Sequence, residues 1–266
     1  MKITIQDRLL PGENITKKFE IAKRLGLDGI ELTFFSQKPT LEEKIDEISR
    51  AIDSTEIMPK TLCGGFRGWI GDFNEETRST AIEDIGKAMK YCRQIGVTSM
   101  IAPAAYGMHS NYLPHTPKRA AEEDEKILLD SLKRIRESAE KYSVSLLLEP
   151  LNRYEDHMVN TLEQAATYVK KIGSPFINIM GDLFHMNIEE VDSALAIINN
   201  KKYLKHIHLA DSNRLQPGKG QTDFKKIFQA LKSIKFEGTM AFECTFIGND
   251  RENDINMCVK YLKNLF

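Results

Sequence analysis

The chain lacks a long apolar run; none approaches the roughly 18 residues that a membrane-spanning helix needs. It lacks an excess of charge as well. Lys+Arg total 37 and Asp+Glu 38, so no global field draws in a polyanion, which argues against a nucleic-acid or membrane partner. Cysteine is sparse: Cys63, Cys92, Cys244 and Cys258 lie far apart and form no CxxC pair. No signal-peptide-like segment stands ahead of the strand-like "KITI", so the thiols read as free groups in a reducing compartment and the expected location is the cytoplasm. No Pro- or Gly-rich linker divides the chain, and residues 1–266 are expected to form a single domain.

What is present is a repeated grammar. A helix ends in basic residues, a glycine or turn follows, and then comes a short apolar run. "AKRLGLDGIEL" (22–32), "CRQIGVTSMIA" (92–102), "VKKIGSPFINIM" (169–180) and "LKSIKFEGTMAFE" (231–243) all follow it; "AEKYSVSLLLE" (139–149) does so without the glycine. Basic side chains complement the negative C-terminal end of a helix, and glycine accepts the left-handed cap. Ala81, Ile82, Ile85, Ala88, Met89, Cys92 and Ile95 share one face of a 3.6-residue period. Thr40 with Glu43, Thr161 with Gln164 and Asn187 with Glu190 have the spacing of helix-start caps. Strands are expected near 2–6, 28–32, 57–63, 98–102, 144–149, 177–181, 204–209 and 239–243, with a helix after each. Short, wholly apolar strands alternating with amphipathic helices imply a covered parallel sheet. Eight such units predict a closed (β/α)8 barrel, with a doubly wound open sheet as the alternative. The loop 103–119, "PAAYGMHSNYLPHTPKR", has the length to cover a pocket.

In such barrels the chemistry sits where strands end. "LLLEPLNRYED" (146–156) leaves an apolar strand straight into carboxylates, Glu149 and then Glu155. Strand six ends in Asp182, strand seven carries His208 and strand eight ends in Glu243. Any one of these alone reads as a solvated acid or a hydrogen-bonded core histidine. Four on consecutive strands read as a site, because three buried carboxylates repel one another and a divalent cation is the simplest way to keep them ionised. Three carboxylates and one imidazole suit Mn²⁺, with Mg²⁺ or Co²⁺ as alternatives. His206 is expected on the same face as His208, one layer deeper. Glu155, His185 and Arg214 follow the ligand candidates in the loops above, although Arg214 reads equally well as a surface arginine. "PGKG" (217–220) reads as a plain turn, with a phosphate-binding nest as the alternative. Phe66 and Trp69 in "GGFRGW" fit either a sugar pocket or loop packing.

With "LEPLNRYE", "GDLFH", "HIHLADSNR" and "AFE", the chain resembles the xylose isomerase-like TIM-barrel superfamily of sugar isomerases and epimerases. It is most similar to the ketose (tagatose and allulose) 3-epimerase branch. The resemblance implies that Glu149, Asp182, His208 and Glu243 ligate one metal ion and that Glu155, His185 and Arg214 contact a sugar substrate. It implies that Glu149 and Glu243 exchange the roles of base and acid on a metal-stabilised enediolate, and that the protein forms a homo-oligomer, a dimer or a tetramer. An aldose–ketose or hydroxypyruvate-type isomerase uses related chemistry and stays open. An apurinic-site endonuclease-like hydrolase needs a histidine-rich cluster; there are six histidines, and His109, His115 and His157 fall in expected loops without a matching set. A non-catalytic sugar-binding barrel has no need of two opposed glutamates.

Overall fold

The structure is a computed structural model that describes residues 1–34, 39–107 and 120–265. Eight parallel strands close in chain order: β1 (Lys2–Gln6), β2 (Gly29–Phe34), β3 (Pro59–Gly64), β4 (Ser99–Pro103), β5 (Ser145–Glu149), β6 (Ile177–Asp182), β7 (Leu204–Leu209) and β8 (Thr239–Phe242). β8 pairs back onto β1 through Lys2–Thr239 to Ile5–Phe242, which rules out the open sheet. Around the barrel run α1 (Ile15–Arg24), α2 (Leu41–Thr55), α3 (Glu75–Gln94), α4 (Ala121–Tyr142), α5 (Leu162–Ile172), α6 (Leu183–Glu189), α7 (Ser193–Asn199), α8 (Phe224–Ser233) and α9 (Arg251–Lys263).

The local signals act as elementary chemistry dictates. Thr40–Glu43 and Thr161–Gln164 are reciprocal capping boxes, and the apolar face of α3 is buried from Ala81 to Cys92. Gly173 takes the left-handed position after α5 at φ 70°; where the glycine is missing, Ser143 adopts it at φ 54°. The expected Asn187–Glu190 cap is not one. Asn187 lies inside α6, which starts directly off β6 because the Asp182 carboxylate accepts from Phe184 N at 2.8 Å. Glu190 accepts instead from Leu162 N, at the start of α5.

Strand alternation separates two apolar environments. Leu146 and Leu148 join the large core shared with the helices, whereas Leu147 packs with Cys63, Ile101 and Met180 in a small cluster. Period-two alternation then puts Glu149 on the face of Leu147, inside the barrel. Barrel interiors are usually filled by bulky branched residues. Here the interior also holds Gln6, Glu31, Thr61, His206 and His208, all buried. So much buried polarity survives only if every group finds a partner.

Candidate metal centre

Glu149, Asp182, His208 and Glu243 each offer one ligand atom to a cluster in which those atoms lie within 4.8 Å of one another, and all four residues are buried. His208 sits at its centre. Its Nδ1 is 2.8 Å from Glu243 Oε2, 3.5 Å from Glu149 Oε1 and 3.6 Å from Asp182 Oδ2. Despite these short distances, Nδ1 makes no well-directed hydrogen bond among the described residues. A buried nitrogen facing the point between three carboxylates, with no well-directed bond to any of them, is placed to ligate a cation. The oxygen-rich donor set agrees with that reading.

The other side of the imidazole is fixed. Nε2 donates to Glu31 Oε1 at 2.9 Å, so the neutral ring keeps its lone pair on Nδ1. Glu31, in the middle of β2, is a residue that sequence reasoning missed. It also accepts from Gln6 Nε2 at 2.9 Å and Thr61 Oγ1 at 2.6 Å, and His206 Nε2 lies 3.1 Å from its second oxygen. Glu31, His206 and His208 form a second group with ligand-like proximity. With both its oxygens committed to protein donors, Glu31 acts as a hub that orients His208. The signal was available: an acid inside the apolar strand "GIEL" has no solvent to face. Gln6 was missed for the same reason; it bridges Glu31 and, at 2.8 Å, Glu243 Oε1.

Glu31→Gln keeps size and one acceptor but loses the charge that makes His208 a stronger donor to metal. It is expected to weaken metal affinity by about 10–100-fold, measured by equilibrium titration on a folded variant. Unchanged affinity would show that Glu31 is only packing.

Arg214, the undecided arginine, is drawn into the cluster: its guanidinium pairs with both Asp182 and Glu243 and lies over the Phe184 ring at 5.0 Å. It supplies positive charge where the carboxylates need it. Asp182 divides its work, with one oxygen capping α6 and the other facing His208 Nδ1 and Arg214. His185 Nδ1 receives Asn152 N at 3.2 Å and sits 2.8 Å from Asn152 Nδ2. A backbone N–H only donates, so the neutral His185 ring carries its proton on Nε2, which lies 3.9 Å from Asp182. Asn152 Nδ2 also donates to Glu155 Oε1 at 3.0 Å, so one asparagine that the sequence reading passed over places both Glu155, in the loop after β5, and His185. His185 lies not in a loop as expected but in the first turn of α6, because that helix starts directly off β6. Arg153 has a structural task, gripping Glu189 at the end of α6 through its backbone and guanidinium. Glu149, Glu155, His185, Arg214 and Glu243 line one cavity of about 1130 Å³.

The electrostatics separate the two glutamates. Burial raises the Glu149 carboxyl; the hydrogen bond and charge of His208 pull it back only in part, and repulsion from Glu243 adds a smaller upward push. Burial also opposes charge on Glu243, but His208 and Arg214 outweigh it and hold that carboxyl below its usual value. Burial likewise opposes charge on Glu31, yet the two imidazoles keep it well below the carboxylate range. His208 is raised well above 6.5: burial disfavours its cation, and Glu243 and Glu31 overcome that. In the metal-free protein, the stability from charged His208 is therefore complete below its unfolded value of 6.5 and is lost as pH rises through the higher folded value. A cation entering at Nδ1 must displace that proton. Metal binding is expected to release protons and to tighten as pH rises toward the raised folded value of His208, read by calorimetry in buffers of different ionisation enthalpy. Affinity independent of pH would contradict it. Burial pushes the Cys63 thiol well above its ordinary value, with Glu243 and Glu31 adding to the shift, so it is no nucleophile.

The backbone nest at "PGKG" is filled from within, since the Asp211 carboxylate accepts from Gly218 N, Thr222 N and Ser212 N. A Cβ on Gly220 would come within 2.3 Å of that carboxylate, so this is a self-closed turn. His157 is bound to Asp124 at 3.0 Å on the outside of the site. His109, His115 and residues 108–119 of the expected covering loop lie outside the described residues.

Comparison with known proteins agrees with this architecture. The 3-dehydro-D-guloside 4-epimerase of Escherichia coli strain K12 is 38% identical over 244 residues, covering 91% of this chain and 92% of that protein. A probable ketose 3-epimerase of Synechocystis is 27% identical over 238 residues, covering 88% and 79%. The crystal structure of an Escherichia coli 3-keto-D-glucoside 4-epimerase superposes with a TM-score of 0.93 at 36% identity over 99% of both chains. The family profile described as xylose isomerase-like TIM barrel matches residues 19–265, and the chain belongs to that family.

Proposed function

We propose that this chain is a metal-dependent sugar epimerase that inverts a hydroxyl-bearing carbon beside a ketone. The observation that carries the reading is the pair Glu149 and Glu243: both buried, both lining one cavity, and shifted in opposite directions. Inversion requires a proton to leave one face of the carbon and another to arrive at the opposite face. β5 and β8 lie three strands apart around the ring, so their carboxylates reach a central substrate from different sides. One glutamate acts as base while the other delivers, and the roles exchange for the reverse reaction. A divalent ion held by Glu149, Asp182, His208 and Glu243 would supply Lewis-acid stabilisation of the developing enediolate; the oxygen-rich set favours Mn²⁺. Arg214 pairs with the same Asp182 and Glu243 oxygens that would hold the ion, so with those oxygens committed to a cation its guanidinium would be free to meet substrate. Glu155 and the His185 Nε2–H then hold hydroxyls.

The relatives named above act, by their names, at C4 of a keto-glycoside or at C3 of a ketose. Both chemistries invert a carbon next to a ketone, and the site suits either. The four cysteines are free and buried, which supports the cytoplasmic reading; among the described residues no helix is long and apolar enough to cross a membrane. The test is solvent exchange. Mn²⁺-loaded protein in D₂O, given keto-glycosides, free ketoses and phosphorylated ketoses, is expected to place deuterium at the carbon beside the ketone with inversion, followed by NMR. Deuterium in an aldose product would make it an aldose–ketose isomerase. No exchange with any of them would leave a binding protein.

A further inference from the structure

The cavity is larger than the chemistry needs. At about 1130 Å³ it exceeds the ~300–1,000 Å³ range of pockets that enclose drug-sized ligands, and a single sugar ring leaves much of it empty. The extra space runs from Glu149 and Glu243 toward the loop after β3 and the outer face of α3, and its lining changes character on the way. Phe66, Trp69 and Tyr106 form a continuous aromatic wall, with ring centroids 5.8 Å and 5.6 Å apart. Tyr106 is 50% exposed, so this wall is not there to fill a core. Beyond it, Arg67 and Asp84 form a bidentate pair at 2.7 Å and 2.9 Å, with the arginine half-exposed. Aromatic faces that cover the C–H side of a sugar, beside planar polar pairs that meet its hydroxyls, make a surface of carbohydrate-recognition chemistry.

On the epimerase reading above, we propose that the substrate is a glycoside of two sugar rings. The keto ring sits at the metal centre and the second ring lies against Trp69 and Tyr106, with its hydroxyls toward Arg67 and Asp84. This answers both halves of the alternative that the sequence left open for Trp69: the loop packs, and the packed rings form a wall of the pocket. It also assigns the far end of the cavity to affinity rather than chemistry. Binding energy from a remote ring is realised in kcat/KM at the reacting carbon.

The test compares a methyl keto-glycoside, an aryl keto-glycoside and a keto-disaccharide, with deuterium wash-in recorded for each. In the unmodified protein the disaccharide is expected to have a kcat/KM about tenfold above the methyl glycoside, the scale on which burying one apolar sugar face against the aromatic wall is realised at the reacting carbon. Trp69→Ala and Tyr106→Ala should each reduce the disaccharide's advantage, and Asp84→Asn should reduce it for the disaccharide more than for the aryl glycoside. Equal kcat/KM for all three in the unmodified protein would overturn the proposal, as would equal losses on all three in every variant. An aryl preference that survives Asp84→Asn would overturn the choice of a second sugar. Wash-in with the methyl glycoside but no gain from a second ring would remove this subsite and leave the epimerase reading standing; absence of wash-in with every compound would remove that reading first.

Discussion

Glu243→Gln is expected to lower turnover by about 10²–10⁴-fold in both directions, the contribution of a positioned acid or base. Glutamine keeps the volume and can still accept from Gln6 Nε2, which lies 2.8 Å from Oε1 in the native side chain. It can neither take nor give the proton, and it removes one of the two acids that Arg214 bridges. Because inversion uses both faces once per turnover, Glu149→Gln should cost a similar factor, and the double variant little more, since the two act as one unit. Stopped turnover with an unchanged circular dichroism spectrum is the expected pair of readings. Turnover within tenfold of the unmodified protein would take Glu243 out of the chemistry.

Chelation is expected to abolish exchange, and Mn²⁺ to restore it, without unfolding the chain. Without a cation, His208 and Arg214 still neutralise the carboxylates, so the barrel retains its buried network. Metal binding to the folded state alone adds stability by mass action, about 2.7 kcal/mol when free metal is 100 times its Kd. Thermal unfolding before and after chelation should therefore shift upward with added metal, while the metal-free protein stays folded at ordinary temperature. Full exchange in protein shown by elemental analysis to hold no metal would contradict this.

The barrel was legible because its determinants are local. Amphipathic period, basic helix ends and left-handed caps each act within a few residues, and they recur along the chain. Asn187 shows the limit of such signals: its spacing to Glu190 is right for a cap, but Asp182, anchored at the end of β6, starts the helix earlier. The ligand candidates were legible because a carboxylate at the end of an apolar strand is conspicuous. Glu31 and Gln6 escaped because their meaning depends on pairing across the barrel, 177 residues from Glu31 to His208 and 237 from Gln6 to Glu243. Asn152 escaped for a similar reason: its partner His185 is 33 residues away on another element. Arg214 was ambiguous until the closed ring brought the loop after β7 over the ends of β6 and β8, where surface arginine and site arginine become one residue.

All of this depends on whether Glu149, Asp182, His208 and Glu243 share one ion. The direct measurement is an anomalous difference map from a Mn²⁺-soaked crystal, recorded at the manganese edge. The expected result is one peak bound by His208 Nδ1 and an oxygen of each of the three acids, at about 2.0–2.6 Å, with Arg214 drawn away from them. A peak on the Nε2 side of His208, among Glu31 and His206, or no peak inside the barrel while exchange activity persists, would contradict the account.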